Sequence, residues 1–113
     1  MELTGKCKED FSKWLQRESI EQKDFCFGWQ IFYQLPESMQ FGVYVEFFDS
    51  VGIHIETLPV WNYGTLDFDF GYIIKYLEGD FRKGVVNEKE IFHRSDARIF
   101  AIQKANGIYN SRQ

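Results

Sequence analysis

The spacing of apolar residues shifts between a helical and a two-residue period along this chain, and those shifts mark its elements. Cys7, Phe11, Trp14 and Leu15 fall on one helical stripe, with Glu18 one turn further on. Thr4 is placed to cap that helix, and Glu9 and Asp10 favour its early turns, so the spacing predicts a helix over residues 5–19. Residues 25–35 carry both patterns. Phe25, Phe27, Trp29, Ile31, Tyr33 and Leu35 alternate, whereas Phe25, Trp29, Phe32 and Pro36 follow a helical stripe. Gly28 weakens both readings, and irregular or helical structure is expected there.

The stretch from Leu35 to Ile55 has the same double period and is rich in rings. As a strand, Phe41, Val43, Val45 and Phe47 alternate, with Asp49-Ser50-Val51-Gly52 as a hairpin loop. As a helix, Pro36 takes the first turn, where its missing N–H costs nothing. Met39, Val43, Phe47 and Val51 then form a seam beside Tyr44 and Phe48, and Gly52 stops the helix. The helix accounts for Pro36, Met39 and Gly52 together, so it is preferred. Beyond Gly52, Ile53, Ile55 and Leu58 predict a strand that Pro59 ends, followed by a turn at Asn62-Tyr63-Gly64. Leu66, Phe68 and Phe70 alternate with Asp67 and Asp69, and this second strand continues through Tyr72-Ile73-Ile74. Glu78-Gly79-Asp80 and Lys83-Gly84 read as breaks, with a short strand expected near residues 90–93. A last helix carries Ala97, Ala101, Ala105 and Ile108 on one face, flanked by Ile102 and Tyr109. Ser95 should cap it, Asp96 suits its first turn, and Gly107 or Asn110 should stop it. The fold class is α+β: an N-terminal helix, a second helix, a two- to three-stranded antiparallel sheet, and a C-terminal helix packed on the sheet.

Composition adds a size and a setting. The 113 residues suit a single domain, 1–113, and 12 Phe, 6 Tyr and 3 Trp supply a core without metal or disulfide staples. No apolar run is long enough to span a membrane, and residues 1–11 hold no apolar segment of the secretory kind. Two cysteines, Cys7 and Cys26, fit a reduced, cytoplasmic protein better than a disulfide framework. The net charge is −4 but unevenly spread. Residues 21–81 hold ten acids against Lys23 and Lys75, whereas residues 82–113 hold seven basic residues against Glu88, Glu90 and Asp96. Such asymmetry favours oriented contacts with a partner or with another copy.

Candidate chemistry is sparse. Cys7, Cys26, His54 and His93 could number a zinc set, but none of the short spacings that pre-order two ligands is present. Asp67 and Asp69 share one strand face, and Glu46 and Asp49 share a helix. Paired carboxylates can do acid–base work or hold Mg²⁺, yet these alternate with core aromatics as solvent-facing positions must. Ser38 and Ser50 lack a nucleophile-elbow setting, and the glycines form no phosphate loop. No catalytic residue, metal site or cofactor is therefore expected. A basic final segment, Arg82, Lys83, Arg94, Arg98 and Lys104, is the candidate nucleic-acid surface, opposed by the acidic middle of the chain.

KCKEDFSKW near the start, LPESMQFGVYVEFFDSVGI in the middle and RSDARIFAIQKANGIYN at the end together resemble a group of small proteins encoded by bacteriophages and prophages of Bacteroidetes-type hosts. The resemblance misses most of residues 60–90 and brings no activity or site with it. It implies an accessory protein acting in the cytoplasm of a bacterial host cell. The expected function is non-enzymatic: contact with a host or phage protein through an acidic surface of Glu46, Asp49, Glu56, Asp67, Asp69, Glu78 and Asp80. Inhibition of a host nucleic-acid enzyme or defence system would follow from such a surface. A nucleic-acid-binding module and a self-assembling structural component, a homo-oligomer, are the alternatives.

Overall fold

The computed structural model describes residues 2–21 and 29–112. Cys26 and the first part of the ambiguous 25–35 stretch lie outside the described residues. The elements are α1 (Gly5–Glu21), a 3₁₀ helix (Trp29–Gln34), α2 (Glu37–Ser50), β1 (Ile53–Asn62), β2 (Asp67–Glu78), β3 (Phe81–Val86) and α3 (Arg94–Ser111). The three strands form one antiparallel sheet in the order β1-β2-β3. This is the expected α+β architecture, with helices before and after the sheet.

The second element is a helix, as preferred. Pro36 sits at its N-cap, one position earlier than expected, and its carbonyl accepts from the N–H groups of Met39 and Gln40 at 3.0 Å each. Gly52 follows the C-cap Val51 at φ +82, a left-handed conformation that a residue with a Cβ rarely adopts. The buried face of α2 is Val43, Tyr44, Phe47 and Phe48; Met39 is exposed and leaves the expected seam. The α1 stripe is buried as predicted, through Cys7, Phe11, Trp14 and Leu15. Glu9 and Asp10 fall beyond its first turn.

Phe11 is the hub of an aromatic cluster. Its ring lies 4.8 Å from Tyr44, 5.2 Å from Phe32 and 5.3 Å from Phe47. Phe47 in turn meets Trp14, Phe48 and Tyr109 at 5.6, 5.2 and 5.9 Å. Edge-on and tilted pairs of this kind add about 0.5–1.5 kcal/mol each to the area they bury. α2 packs on β1, and α3 packs on β1 and β2, while α1 lies across α2 and α3. Alanines 97, 101 and 105 are fully buried, which lets α3 approach the sheet closely.

The sheet departs most from expectation. Pro59 does not end β1 but pairs with Phe70 inside it. β1 is an edge strand, where a missing N–H can face outward without breaking the ladder. Lys83 and Gly84 lie within β3 rather than breaking the chain, opposite Tyr76 and Lys75. Gly79 and Asp80 alone close that hairpin between the paired Glu78 and Phe81, and Gly79 takes φ +61, as the first position of a II′ turn requires. The strand expected at 90–93 is reduced to one bridge, Phe70 to Ile91. α3 begins two residues early, with His93 as an N-cap that makes no side-chain cap. Ser95 is therefore inside the first turn, and Gly107 and Asn110 lie within α3 instead of stopping it.

Candidate functional site

A strand of ten to twelve residues outreaches the helices that cover it. β1 and β2 span about 34 and 41 Å at ~3.4 Å per residue, against about 21 Å for α2 and 27 Å for α3 at 1.5 Å per residue. The first pairs of the sheet, Ile53 with Tyr76 and Ile55 with Ile74, lie under the helices and are buried or half-buried. Further along the same face come Pro59 with Phe70, then Trp61 with Phe68. There the cover ends.

The hairpin tip therefore holds an exposed aromatic cluster. The Trp61 ring lies 5.1 Å from Phe68 and 6.3 Å from Tyr63, both edge-on. Trp61 is 42% exposed, Phe68 52%, Leu66 73% and Tyr63 84%. Asn62 organises the loop between the strands. Its Oδ1 accepts from the Gly64 and Thr65 N–H groups at 2.8 and 3.3 Å, and its backbone carbonyl accepts from Leu66 N–H at 2.9 Å. Its Nδ2 donates to Asp69 Oδ2 at 2.7 Å. Leu66 closes the loop at φ +55, a left-handed conformation that costs a β-carbon residue about 1–2 kcal/mol. A glycine or asparagine would ordinarily stand there. Backbone strain of this sort clusters at functional sites.

Carboxylates ring the tip. Asp67 is exposed beside it and Asp69 is buried against Asn62. Glu88 and Glu90 join Trp61, Tyr63 and Asp69 around an open cleft of about 400 Å³. Lys89 lines the same cleft, and the Arg94 guanidinium lies 5.2 Å over the Phe70 ring. The local balance is acidic around an apolar centre.

The acids expected to form one surface are divided. Asp67 and Asp69 stand at the tip, with Glu56 midway along β1. Glu78 and Asp80 stand at the other end of β2, about 30 Å from Asp69 at the strand rise. Glu78 lies 3.6 Å from Lys83. Glu46 and Asp49 belong to α2, where Asp49 Oδ1 lies 2.8 Å from His54 Nδ1. The basic candidates are divided too. α3 runs in the direction of β2, so Arg94 covers Phe70 near the tip while Arg112 lies 5.9 Å over Tyr76 at the far end. Arg98 lies 5.8 Å over Phe41, Lys104 lines a cleft beside β3, and Arg82 and Lys83 are on β3 itself. Three of these guanidiniums thus cover rings.

Apart from Tyr72 on β2, whose hydroxyl is raised by burial, the perturbed titrating groups lie among the helices. Burial pushes the Cys7 thiol up to about 12. Burial, then the hydrogen bond it donates to Asp10, pushes the Tyr109 hydroxyl up to about 12. That same bond, with a Lys6 contact at 3.0 Å, holds the Asp10 carboxyl below the usual carboxylate range. Among the described residues no three metal-ligating side chains converge, and no helix is long and apolar enough to cross a membrane.

The sequence marked Asp67 and Asp69 of the tip as contact candidates but did not single out its rings. Phe68 and Leu66 alternate there with acids just as core residues do, and Pro59 hid the distal half of β1. The usable signal is the length mismatch between a long hairpin and shorter helices. No protein-family model matches the chain, and comparison with curated proteins and with solved structures gives no match.

Proposed function

We propose that this chain is a non-enzymatic binding protein whose contact surface is the β1–β2 hairpin tip. Trp61, Tyr63, Leu66 and Phe68 act as apolar anchors, and Asp67, Glu88 and Glu90 form the charged rim. The reading rests on one observation: an exposed aromatic cluster presented by a loop that holds Leu66 in a left-handed conformation. Aromatic anchors with a polar rim are the usual composition of a binding hot spot. The acidic rim selects a partner with a basic surface, and in the bacterial setting that the sequence resemblance implies, such a surface belongs to a protein that handles nucleic acid.

The test is a capture experiment with tagged protein in host lysate, run beside Trp61→Ala, Leu66→Gly and Asp67→Asn variants. A basic protein retained by the unchanged chain should be released by salt and lost with Trp61→Ala. Retention of the same protein by both the unchanged chain and Trp61→Ala would end the proposal.

A further inference from the structure

The β3 side of the sheet presents a second surface, whose cleft adjoins that of the hairpin tip at residues 87–90. Among the described residues, β3 pairs with β2 alone, so its outer row of N–H and C=O groups has no strand beside it. Its residues are exposed except for the half-buried Val85. Between this edge and α3 lies an open cleft of about 500 Å³, lined by Tyr72, Val85, Phe100 and Lys104, with Glu88 and Glu90 at the end nearer the hairpin tip. Phe100 is exposed there although it belongs to a helix whose other face is packed.

We propose that this edge receives an extended acidic peptide as a fourth strand, with alternate apolar side chains in the cleft. Addition of a strand to a free edge satisfies the peptide backbone, and the neighbouring pockets select its side chains. The charges along the edge choose the occupant. Its outer face is basic, since Arg82 shares it with Lys75, which pairs with Gly84; on the cleft face Lys83 lies 3.6 Å from Glu78, and Lys104 shares the cleft lining with Glu88 and Glu90. The acids Glu78 and Asp80 stand at one end and Glu88 and Glu90 at the other, with Lys89 between the last two. With its apolar side chains in the cleft, such a peptide turns its carboxylates to the other face, beside Arg82 and Lys75. A second copy of β3 would instead bring Arg82 and Lys83 against their own likes, which is the usual defence of an edge against self-pairing. Nucleic acid supplies negative charge but no backbone ladder for a strand edge.

The experiment uses a fluorescein-labelled peptide of alternating glutamate and valine, a lysine–valine counterpart and an oligothymidylate of similar length. Fluorescence anisotropy should show the glutamate peptide binding, with the lysine peptide weaker by roughly tenfold or more. Charge reversal by Arg82→Glu should weaken the glutamate peptide to a similar degree, and Lys75→Glu, on the neighbouring strand, should weaken it too. Amide exchange should slow along residues 81–86 when that peptide is present, while the Trp61–Phe68 amides stay unchanged. Equal binding of the two peptides, preferred binding of the oligothymidylate, or perturbation confined to the hairpin tip would overturn the proposal. Slowed exchange in β3 that rises with protein concentration alone would overturn it as well, by showing that a second copy covers the edge. Loss of this site leaves the Trp61 test intact, so the two proposals fail separately.

Discussion

Asn110 caps a helix to which it does not belong. Its side-chain Oδ1 accepts from the Cys7 N–H at 2.9 Å, the bond that an N-cap side chain makes at the start of α1. Its Nδ2 donates to the Thr4 carbonyl at 2.9 Å. Thr4, one turn ahead of its expected partner, turns its hydroxyl to Asn106 Nδ2 at 2.9 Å, while its N–H donates to Asn106 Oδ1 at 2.9 Å. Two asparagines one turn apart on α3 thus hold the first turn of α1 in place. Asn110→Ala should lower stability by about 1–2 kcal/mol, read as the midpoint of urea unfolding. Asn110→Asp, which keeps the acceptor and loses the donor, should recover part of that loss.

Leu66→Gly separates stability from binding. Relief of the left-handed strain, less the entropy a glycine adds to the unfolded chain, should stabilise the protein by about 0.5–1 kcal/mol. Partner capture should fall in the same variant. A variant that melts lower than the unchanged chain would show that Leu66 is not strained.

The Phe47 ring contacts four other aromatic residues. Phe47→Ala should cost about 3–5 kcal/mol through the cavity it leaves. Asp49→Asn and Glu46→Gln, both exposed, should each stay within about 0.5 kcal/mol of the unchanged chain. Both lie on α2 away from the hairpin tip, so capture through Trp61 should persist in them.

The Asp10–Tyr109 pair ties stability to pH at both extremes. The Asp10 carboxyl is lowered from 3.8, so its contribution is present above that pH and is lost as pH falls through its lower folded value. Tyr109 is raised from 10.0 to about 12, so its contribution is present below 10 and is lost as pH rises through 12. The difference in melting temperature between the unchanged chain and Asp10→Asn should therefore shrink below pH 3.8. Tyr109→Phe should flatten the stability profile between pH 10 and 12, measured by melting at each pH.

Cys7 is fully buried, and its thiol is pushed up to about 12. In a Cys26→Ser background it should resist a thiol reagent at neutral pH until denaturant is added. Rapid labelling of the folded protein would contradict the packing of α1.

Much of the local structure could be read directly. The stripe of Cys7, Phe11, Trp14 and Leu15, the alanine face of α3 and the stop at Gly52 are periodicity and cap effects, which short stretches of chain decide for themselves. The strand boundaries could not be read that way. Pro59 is a breaker in isolation, and it becomes acceptable only because β1 lies at an edge of the sheet. Lys83-Gly84 reads as a break until the II′ turn at Gly79 lines it up with β2.

Local pattern and composition sufficed for the α+β order, the aromatic content of the core and the uneven charge along the chain. Packing of the elements set which rings the helices cover, that the acids stand at separate ends, and that Asn110 rather than Thr4 caps α1. The reason is physical. Periodicity reports which side of an element a residue takes, whereas exposure depends on whether another element reaches that far. The helices stop short of Trp61 and Phe68, so the same alternation that buries Ile74 leaves these two rings at the surface.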